Sequence, residues 1–179
     1  YAYSQIADVS YKRLTRTIDL TGSATGNLSF WISRDTEQDW DYVFVEAHTV
    51  GQDDWTTLPD ANGHTSQDLG PSDPDLSSCS ADWHEIHPWL ARYQTLNADN
   101  SCSPSGTSGQ WHAATCSSGG WEQWSIDLSR FAGRQVEVVD RHTVGADDHA
   151  LVRGRHVARR PVLRSADRPA RRVEHDHEA

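Results

Sequence analysis

Four acidic side chains at alternating positions are the first feature that could bind an ion. Asp35, Glu37, Asp39 and Asp41 stand directly before the apolar run YVFVEA. If the segment is extended, a period of two places all four carboxylates on one face, where they repel each other unless water or a cation separates them. The sequence leaves open a calcium site completed by backbone oxygens of another loop, or a solvated or hydrogen-bonding loop. It does not match an EF-hand, which requires Gly at its sixth position.

A second group lies in WHEIHPW, where His84, Glu85 and His87 fall within four residues. The helical zinc-peptidase motif H-E-x-x-H places two imidazoles one turn apart, with the Glu as general base. Here the spacing is one residue short and Pro88 follows at once, so we expect these histidines to pack beside the Trp residues or to face solvent. The alternatives are incidental metal binding and a zinc enzyme that uses His84, His87 and a distant third ligand.

Near the end of the chain, His175 and Glu178 match the H-x-x-E pair that binds zinc in carboxypeptidases. A third ligand and a catalytic Glu cannot be assigned to this pair. The sequence also contains no G-x-S-x-G nucleophile elbow and no phosphate-binding Gly loop. It therefore predicts a chain without a catalytic centre of its own.

Three cysteines, Cys79, Cys102 and Cys116, lie in a stretch rich in Ser, Gly and Asn. They allow three pairings, each of which leaves one thiol over. Because no C-x-x-C occurs, the pattern favours a stapled extracellular loop over a metal cluster. Of the three pairings we favour Cys79 with Cys102.

Short strands separated by turn signals dominate the elements that would position these residues. NLSFWIS alternates Leu, Phe and Ile with Ser and Trp, which is the pattern of a half-buried strand. Further strands are expected in YKRLTRTIDL, YVFVEAHT, WEQWSIDL and RQVEVV, with a short strand after the turn GQDD. Residues 59–120 form a long Ser/Gly/Asn-rich insert that reads as a loop, in which HEIHPWLARY makes a helical turn or two before and after Pro88. The sequence predicts an all-β fold, an antiparallel jelly-roll β-sandwich with a long loop insert.

The 179 residues suffice for one domain, and the eight Trp side chains must supply much of its core. The alternative is that two or three of them form an exposed platform for sugar rings, as in a carbohydrate-binding module. The candidates are Trp31, Trp40, Trp55, Trp111, Trp121 and Trp124. A formal charge of -10 disfavours nucleic acid and anionic membranes as partners, and no apolar run is long enough to span a membrane.

The last part of the chain differs in composition from the rest. After Phe131 there is no Phe, Tyr or Trp, and residues 141–179 contain nine basic and six acidic side chains, against seven and twenty in residues 1–140. We therefore divide the chain into a β-sandwich domain, residues 1–139, and a tail, residues 140–179, that is either disordered or translated out of frame. In the second case, deleting one nucleotide from a string that encodes EVVDR restores EVSIA, and the domain as given would be truncated at its last strands, leaving a sheet edge uncovered.

Several segments in fixed order resemble one family. They are LTRTIDLTG, the acidic segment followed by DYVFVEA, DDWTTL, a long insert, GGWEQWSIDLS and a final VEV. Together they are similar to the MAM-like jelly-roll accessory domain of secreted bacterial zinc metallopeptidases, both the immune inhibitor A-like peptidases and the actinobacterial zinc carboxypeptidases. The resemblance covers about residues 11–139.

The resemblance implies a secreted, noncatalytic β-sandwich that belongs to a longer protein, with the catalytic zinc held by an upstream domain. It implies the catalytic domain of the same protein as a partner, together with a protein substrate or a cell-surface polymer. It also favours calcium at a loop such as residues 35–41. We expect the domain to stabilise the enzyme or to engage protein substrate, and a carbohydrate-binding β-sandwich module is the alternative.

Overall fold

The computed structural model describes residues 11–70, 79–143 and 155–157, which form nine strands, one α-helix and two short 3-10 turns. The strands are β1 (Tyr11–Asp19), β2 (Asn27–Ser33), β3 (Tyr42–Thr49), β4 (Thr56–Leu58), β5 (Thr95–Leu96), β6 (Cys102–Ser103), β7 (Glu122–Asp127), β8 (Gln135–Thr143) and β9 (Arg155–Val157). The helix α1 is Ala81–Ile86, and the 3-10 turns are Pro88–Arg92 and Ser129–Phe131. Among these residues no helix is long and apolar enough to cross a membrane.

The strands form two main sheets in which every neighbouring pair is antiparallel. The four-stranded sheet has the order β1-β8-β3-β4, and the three-stranded sheet has the order β7-β2-β9. A separate hairpin pairs β5 with β6. The predicted all-β antiparallel fold is therefore confirmed, and the jelly-roll connectivity stays a prediction.

Side chains from both sheets meet in one apolar cluster, here called the inner core. Its members are Ile18, Leu20, Phe30, Ile32, Val43, Val45, Ala47, Leu58, Ala114, Trp124, Ile126, Leu128, Phe131, Val136 and Val138. Alternate residues of each strand point to the same face, which is why β3 supplies Val43, Val45 and Ala47 to this cluster. Burying one such aliphatic or aromatic side chain contributes about 1.5–3 kcal/mol, so the cluster supplies a large share of the folding free energy.

The opposite face of the four-stranded sheet is covered by the insert. The resulting cluster, here called the outer cluster, consists of Tyr42, Phe44, Trp83, Leu90, Tyr93, Trp111 and Ala113. Trp111 is fully buried, and its indole Nε1 donates a hydrogen bond to the carbonyl of Asp68 at 3.0 Å, which satisfies its polar atom. Residues 79–113 thus form a packed layer over the sheet, not only the loop that their composition predicted.

Local signals define α1 within this layer. The side chain of Ser80 caps the helix by accepting a hydrogen bond from the backbone N–H of Trp83 at 3.2 Å. The helix ends at Ile86, and Pro88 begins the following 3-10 turn. Proline has no N–H and restricts the residue before it, so it separates the two helical segments as the sequence predicted.

A disulfide joins Cys79 and Cys102, the favoured pair, with a Cα–Cα distance of 6.0 Å. It links the residue before the α1 cap to β6, and it therefore ties the helix to the β5–β6 hairpin. Cys79 is fully buried. Cys116 is a free thiol.

Two glycines allow the insert to lie directly against neighbouring backbone. A Cβ atom on Gly106 would lie 2.4 Å from the carbonyl carbon of Arg92, and one on Gly109 would lie 2.5 Å from the Cα of Thr56. Side chains cannot be accommodated at such distances without a backbone shift, so these positions require glycine for packing.

The strand β8 passes through the predicted domain boundary at residue 139. Residues 140–143 pair with both β1 and β3, so the described sandwich continues beyond the boundary, and β9 also pairs with β2. Asp140 is next in phase after Val138 and lies opposite Val45, where the reading EVSIA would place Ile. The out-of-frame hypothesis stays a prediction, and the nucleotide sequence of this region tests it.

Candidate ligand-binding face

The acidic segment is a loop between β2 and β3 and not an extended strand. A turn occupies residues 38–40, where Asp39 has a φ of 66°, in the left-handed region. Asp35 and Glu37 are exposed, whereas Asp41 is fully buried. The four carboxylates therefore do not line one face.

Hydrogen bonds close this loop on itself and onto Thr115. The Asp41 carboxylate accepts from the N–H of Glu37 at 3.4 Å, and the Asp41 N–H donates to the Glu37 carbonyl at 3.1 Å. The Thr115 hydroxyl accepts from the Asp39 N–H at 3.0 Å and donates to the Glu37 carbonyl at 2.9 Å. These contacts favour the hydrogen-bonding interpretation. Within the described residues no three His, Cys, Asp or Glu side chains come together to hold a metal, and calcium at this loop stays a prediction.

The histidines of WHEIHPW pack among aromatic and amide side chains. His87 is 2% exposed and lies between Trp83 and Trp89, with ring centroids 5.2 and 5.6 Å away. The Nε2 atom of His84 lies 3.3 Å from the Oε1 of Gln94. This is the packing beside Trp that the sequence led us to expect. The other zinc candidate, His175 with Glu178, lies outside the described residues.

Two of the eight Trp side chains are exposed, Trp31 at 40% and Trp121 at 48%. By contrast Trp111 and Trp124 are fully buried, and Trp83 is 5% exposed. The remaining three, Trp40, Trp55 and Trp89, are partly buried against the outer cluster. Most of the rings are therefore core residues, and the exposed pair is the exception that a binding site could explain.

Both exposed rings lie at one end of the face of the three-stranded sheet that points away from the inner core, here called the outer face. Phe30 and Ile32 of β2 belong to the inner core, so Trp31 between them points outward. Gln123 of β7 is the register partner of Trp31, and Trp121 precedes it by two residues. Trp121 lies one residue before β7, and continuing the alternation of that strand places it diagonal to Trp31, a relation in which strand residues lie about 7–8 Å apart.

Between these rings and the exposed Asp127 at the opposite end, the outer face carries amide and hydroxyl groups. Gln123 Nε2 donates to the hydroxyl of Ser29 at 2.8 Å, and Asn27 Nδ2 donates to the hydroxyl of Ser125 at 3.0 Å. Each bond joins diagonal positions of β2 and β7, so these side chains lie across the sheet in defined positions. The outer face thus combines an aromatic end with an uncharged hydrogen-bonding strip.

The loop after β4 covers the edge of β7 that β2 does not pair with. The Ala61 N–H donates to the Ser125 carbonyl at 2.8 Å, and the side chain of Asn62 donates to the Gln123 carbonyl at 2.7 Å. The Asp60 carboxylate accepts from the Ser125 N–H at 2.6 Å. Because the edge is closed in this way, the backbone of β7 is held at the border of the outer face.

A network of titratable side chains that the sequence analysis did not single out lies beside this loop. The Nδ1 of His64 is 2.5 Å from the carboxylate of Asp60, and its Nε2 is 3.7 Å from that of Glu122. Glu122 also accepts a hydrogen bond from the Nε of Arg34 at 3.0 Å. The network joins residues that are far apart in sequence, so no local spacing could have indicated it. Its contacts hold the loop after β4 against the start of β7.

A second cluster that sequence reasoning missed surrounds Glu46, which is 1% exposed on the outer-cluster side of β3. One carboxylate oxygen accepts from the Tyr93 hydroxyl at 2.6 Å, and the other pairs with the guanidinium of Arg141. Arg141 lies 4.4 Å above the ring of Trp89. Burial, and then the negative charge of Glu46, raise the pKa of Tyr93, so its hydroxyl stays protonated and donates. The cluster binds β3, β8 and the insert together.

Comparison with known proteins adds no family assignment. No family model matches the sequence, and no curated protein is similar enough to match it. The similarity to MAM-like accessory domains therefore rests on the ordered segments of the sequence itself, and it stays a prediction.

Proposed function

We propose that this chain is a noncatalytic accessory domain of a secreted zinc metallopeptidase, of the carboxypeptidase or immune inhibitor A type. The domain stabilises the enzyme or engages its protein substrate, and the catalytic zinc belongs to another domain of the same protein. Its partners are that catalytic domain and a protein substrate or cell-surface polymer. Calcium at residues 35–41 is part of the same proposal.

One observation carries the proposal: the segments that resemble the family are the segments that build the two sheets. LTRTIDL lies in and just after β1, DYVFVEA leads into β3, TTL is β4, WEQWSIDL contains β7, and VEV lies in β8. All of them contribute to the inner core. A resemblance spread over core strands in their order is what a shared fold produces, whereas a chance likeness has no reason to fall on them.

Two further features support an extracellular accessory role. The disulfide between Cys79 and Cys102 suits an oxidising compartment, where such bonds persist. The titratable clusters around Glu46 and Asp60 bind strands and loops together, and this use of buried charge supports a structural role for the module.

The first test is the gene that encodes the chain. We expect the same open reading frame to encode an upstream domain with an H-x-x-E zinc pair and a distant third ligand. A second test deletes residues 1–143 from that longer protein. We expect a lower thermal midpoint and slower cleavage of protein substrates, with nearly unchanged turnover of short peptides.

Peptide hydrolysis by the isolated chain provides the opposing outcome. The purified chain, offered short peptides with and without zinc, should release no amino acids. Sustained, chelator-sensitive turnover that is lost in His84→Ala but kept in Asp82→Ala, a matched variant at an exposed position of the same helix, would instead establish a stand-alone zinc enzyme.

A further inference from the structure

From the outer face of the three-stranded sheet we infer that this domain binds an uncharged polysaccharide. Sugar rings stack on Trp31 and Trp121, and their hydroxyl groups bond to the strip formed by Gln123, Ser29 and Asn27. The inference goes beyond the accessory role and does not depend on the parent being a peptidase.

The exposed rings are the first step of the argument. Trp is the side chain with the largest apolar surface to bury, and this chain buries Trp111 and Trp124 completely. Trp31 is 40% exposed and Trp121 is 48% exposed, so part of the free energy of burying each ring is not obtained in the unliganded domain. An apolar ligand surface that covers both rings recovers it, and the C–H faces of pyranose rings provide such a surface.

The relative positions of the rings are the second step. Trp31 and Trp121 are diagonal neighbours across β2 and the start of β7, and such neighbours lie about 7–8 Å apart. Two indoles at that separation can contact different rings of one sugar chain. Trp121 follows two glycines, Gly119 and Gly120, and its side chain is 48% exposed.

The polar strip is the third step. Gln and Asn amides carry both donors and acceptors, and Ser hydroxyls act as either, which matches the mixed hydrogen bonding of sugar hydroxyl groups. The bonds Gln123–Ser29 at 2.8 Å and Asn27–Ser125 at 3.0 Å hold these groups in place before a ligand arrives. Such preorganisation lowers the entropy lost on binding.

Charge selects the class of polymer. The strip itself carries no formal charge, Asp127 at its end is acidic, and the chain as a whole has a formal charge of -10, so the face disfavours polyanions. A protein partner is less suited, because stable protein interfaces bury about 800 Å² on each side and are built around an apolar centre. Two Trp rings beside amides and hydroxyls fit a narrow sugar chain better.

The test uses the full 179-residue chain in affinity electrophoresis and Trp-fluorescence titration. The probes are soluble β-1,4-glucan, xylan and glucomannan, with polygalacturonate as the anionic probe. We expect at least one neutral polymer to retard the chain and to change its Trp emission. Trp31→Ala and Trp121→Ala should each weaken this binding roughly tenfold or more, and Gln123→Ala should weaken it by a smaller factor.

Ile86→Ala is the matched control, because Ile86 is 40% exposed and lies on α1. This helix belongs to the insert that packs on the four-stranded sheet, not to the outer face of the three-stranded sheet. The control variant should bind like the unaltered chain. The inference is overturned if the folded chain binds none of the neutral polymers, if it binds polygalacturonate equally well, or if the Trp variants bind as the control does. Denaturation midpoints of all variants show whether each is folded. The Trp31→Ala, Trp121→Ala double variant, placed in the longer protein, separates this inference from the proposed function. It should lose polysaccharide binding but keep the thermal midpoint and the rate of protein-substrate cleavage.

Discussion

The inner strands of the two sheets differ in how many of their faces are covered. β3 of the four-stranded sheet is buried on both faces, by the inner core and by the insert, whereas β2 of the three-stranded sheet has Trp31 exposed on its outer face. β3 is buried from Tyr42 to Ala47 without a break, but β2 alternates around the exposed Trp31. A covered face requires every polar group to find a partner, while an open face can keep polar groups and rings for a ligand.

The outward residues of the two strands reflect this difference. On β3 they include Phe44, packed in the outer cluster, and Glu46, which pairs with Arg141 and accepts a hydrogen bond from Tyr93. On β2 they include Trp31, which is 40% exposed, and Ser29, which accepts a hydrogen bond from Gln123 on the neighbouring strand. The binding site that we propose therefore lies on the open face, whereas the buried charges of the covered face hold structural elements together.

The sharpest test of this contrast removes one Trp from each side of the three-stranded sheet. Trp124→Ala empties a fully buried site that packs on Phe30, with ring centroids 5.8 Å apart, and should lower the free energy of unfolding by about 3–5 kcal/mol. Trp31→Ala on the outer face should lower it by under about 0.5 kcal/mol. Urea denaturation followed by circular dichroism measures both. Equal losses would mean that the outer face is not open.

The covered face is tested next, at its buried charges. Glu46→Ala leaves the Arg141 guanidinium without its carboxylate and should lower the free energy of unfolding by about 3 kcal/mol, and Arg141→Ala should do the same. The double variant should lose less than the sum, because neither charge is then left buried alone. Urea titrations of all three variants complete the cycle. Additive losses would show that the two side chains act independently.

The disulfide tests how firmly the insert is held on the covered face. Cys79 and Cys102 are separated by 23 residues, and opening a loop of that size by Cys102→Ser should lower the free energy of unfolding by about 2–3 kcal/mol. The matched control is Cys116→Ser, since Cys116 is a free thiol and should be near neutral. Thermal denaturation with and without a reducing agent compares them. A reductant effect that persists in Cys102→Ser would contradict the assignment.

A smaller effect concerns pH at the turn between β3 and β4. Desolvation raises the pKa of Asp54, but hydrogen bonds from the N–H and hydroxyl of Thr49, both 2.7 Å, outweigh it and leave the pKa below 3.8. A carboxylate whose pKa is lower in the folded protein than in the unfolded chain stabilises the fold at pH values above the unfolded pKa. This stabilisation is lost as the pH falls through the folded pKa. Asp54→Asn should therefore lose about 1 kcal/mol at pH 7 and progressively less below pH 3.8. Urea titrations at pH 7 and pH 3 measure the difference; a constant loss would contradict it.

The smallest effect is expected in the acidic loop. In the absence of calcium, Asp35→Asn and Glu37→Gln alter exposed side chains and should change the free energy of unfolding by under about 0.5 kcal/mol. Asp41→Asn, at the buried position, should lose more. Thermal midpoints in calcium and in chelator give the comparison. A calcium-dependent rise that Asp41→Asn abolishes would establish the calcium site.

Much of the fold could be predicted because strand patterns are local. NLSFWIS coincides with β2, YVFVEAHT coincides with β3, and the break at Pro88 separates α1 from the next turn. The sequence left open whether the acidic segment is extended, because its turn depends on Asp39 in a left-handed conformation and on Thr115 from a distant loop. Alternating charges alone carry no signal for either.

The candidate site was only partly predictable for a related reason. Exposed and buried Trp residues look alike in sequence. The alternation of β2 predicts that Trp31 points outward, but it does not predict whether other residues cover that face. Likewise, VFVEA shows that Glu46 points opposite to Val45, yet only the insert makes that position buried. The local sequence pattern assigns a side chain to one face of a strand, and segments distant in sequence determine what packs on that face.

By itself the sequence determined the strand segments, the direction of their alternate side chains and the division of the helical insert at Pro88, because each depends on neighbours within a few residues. The tertiary structure alone decided that β3 is covered on both faces, that Glu46 meets Arg141, and that Trp31 and Trp121 are exposed while the other six Trp side chains are buried or partly buried. These outcomes require chain segments far apart in sequence to pack together, and packing depends on shape and burial that no short stretch of sequence contains.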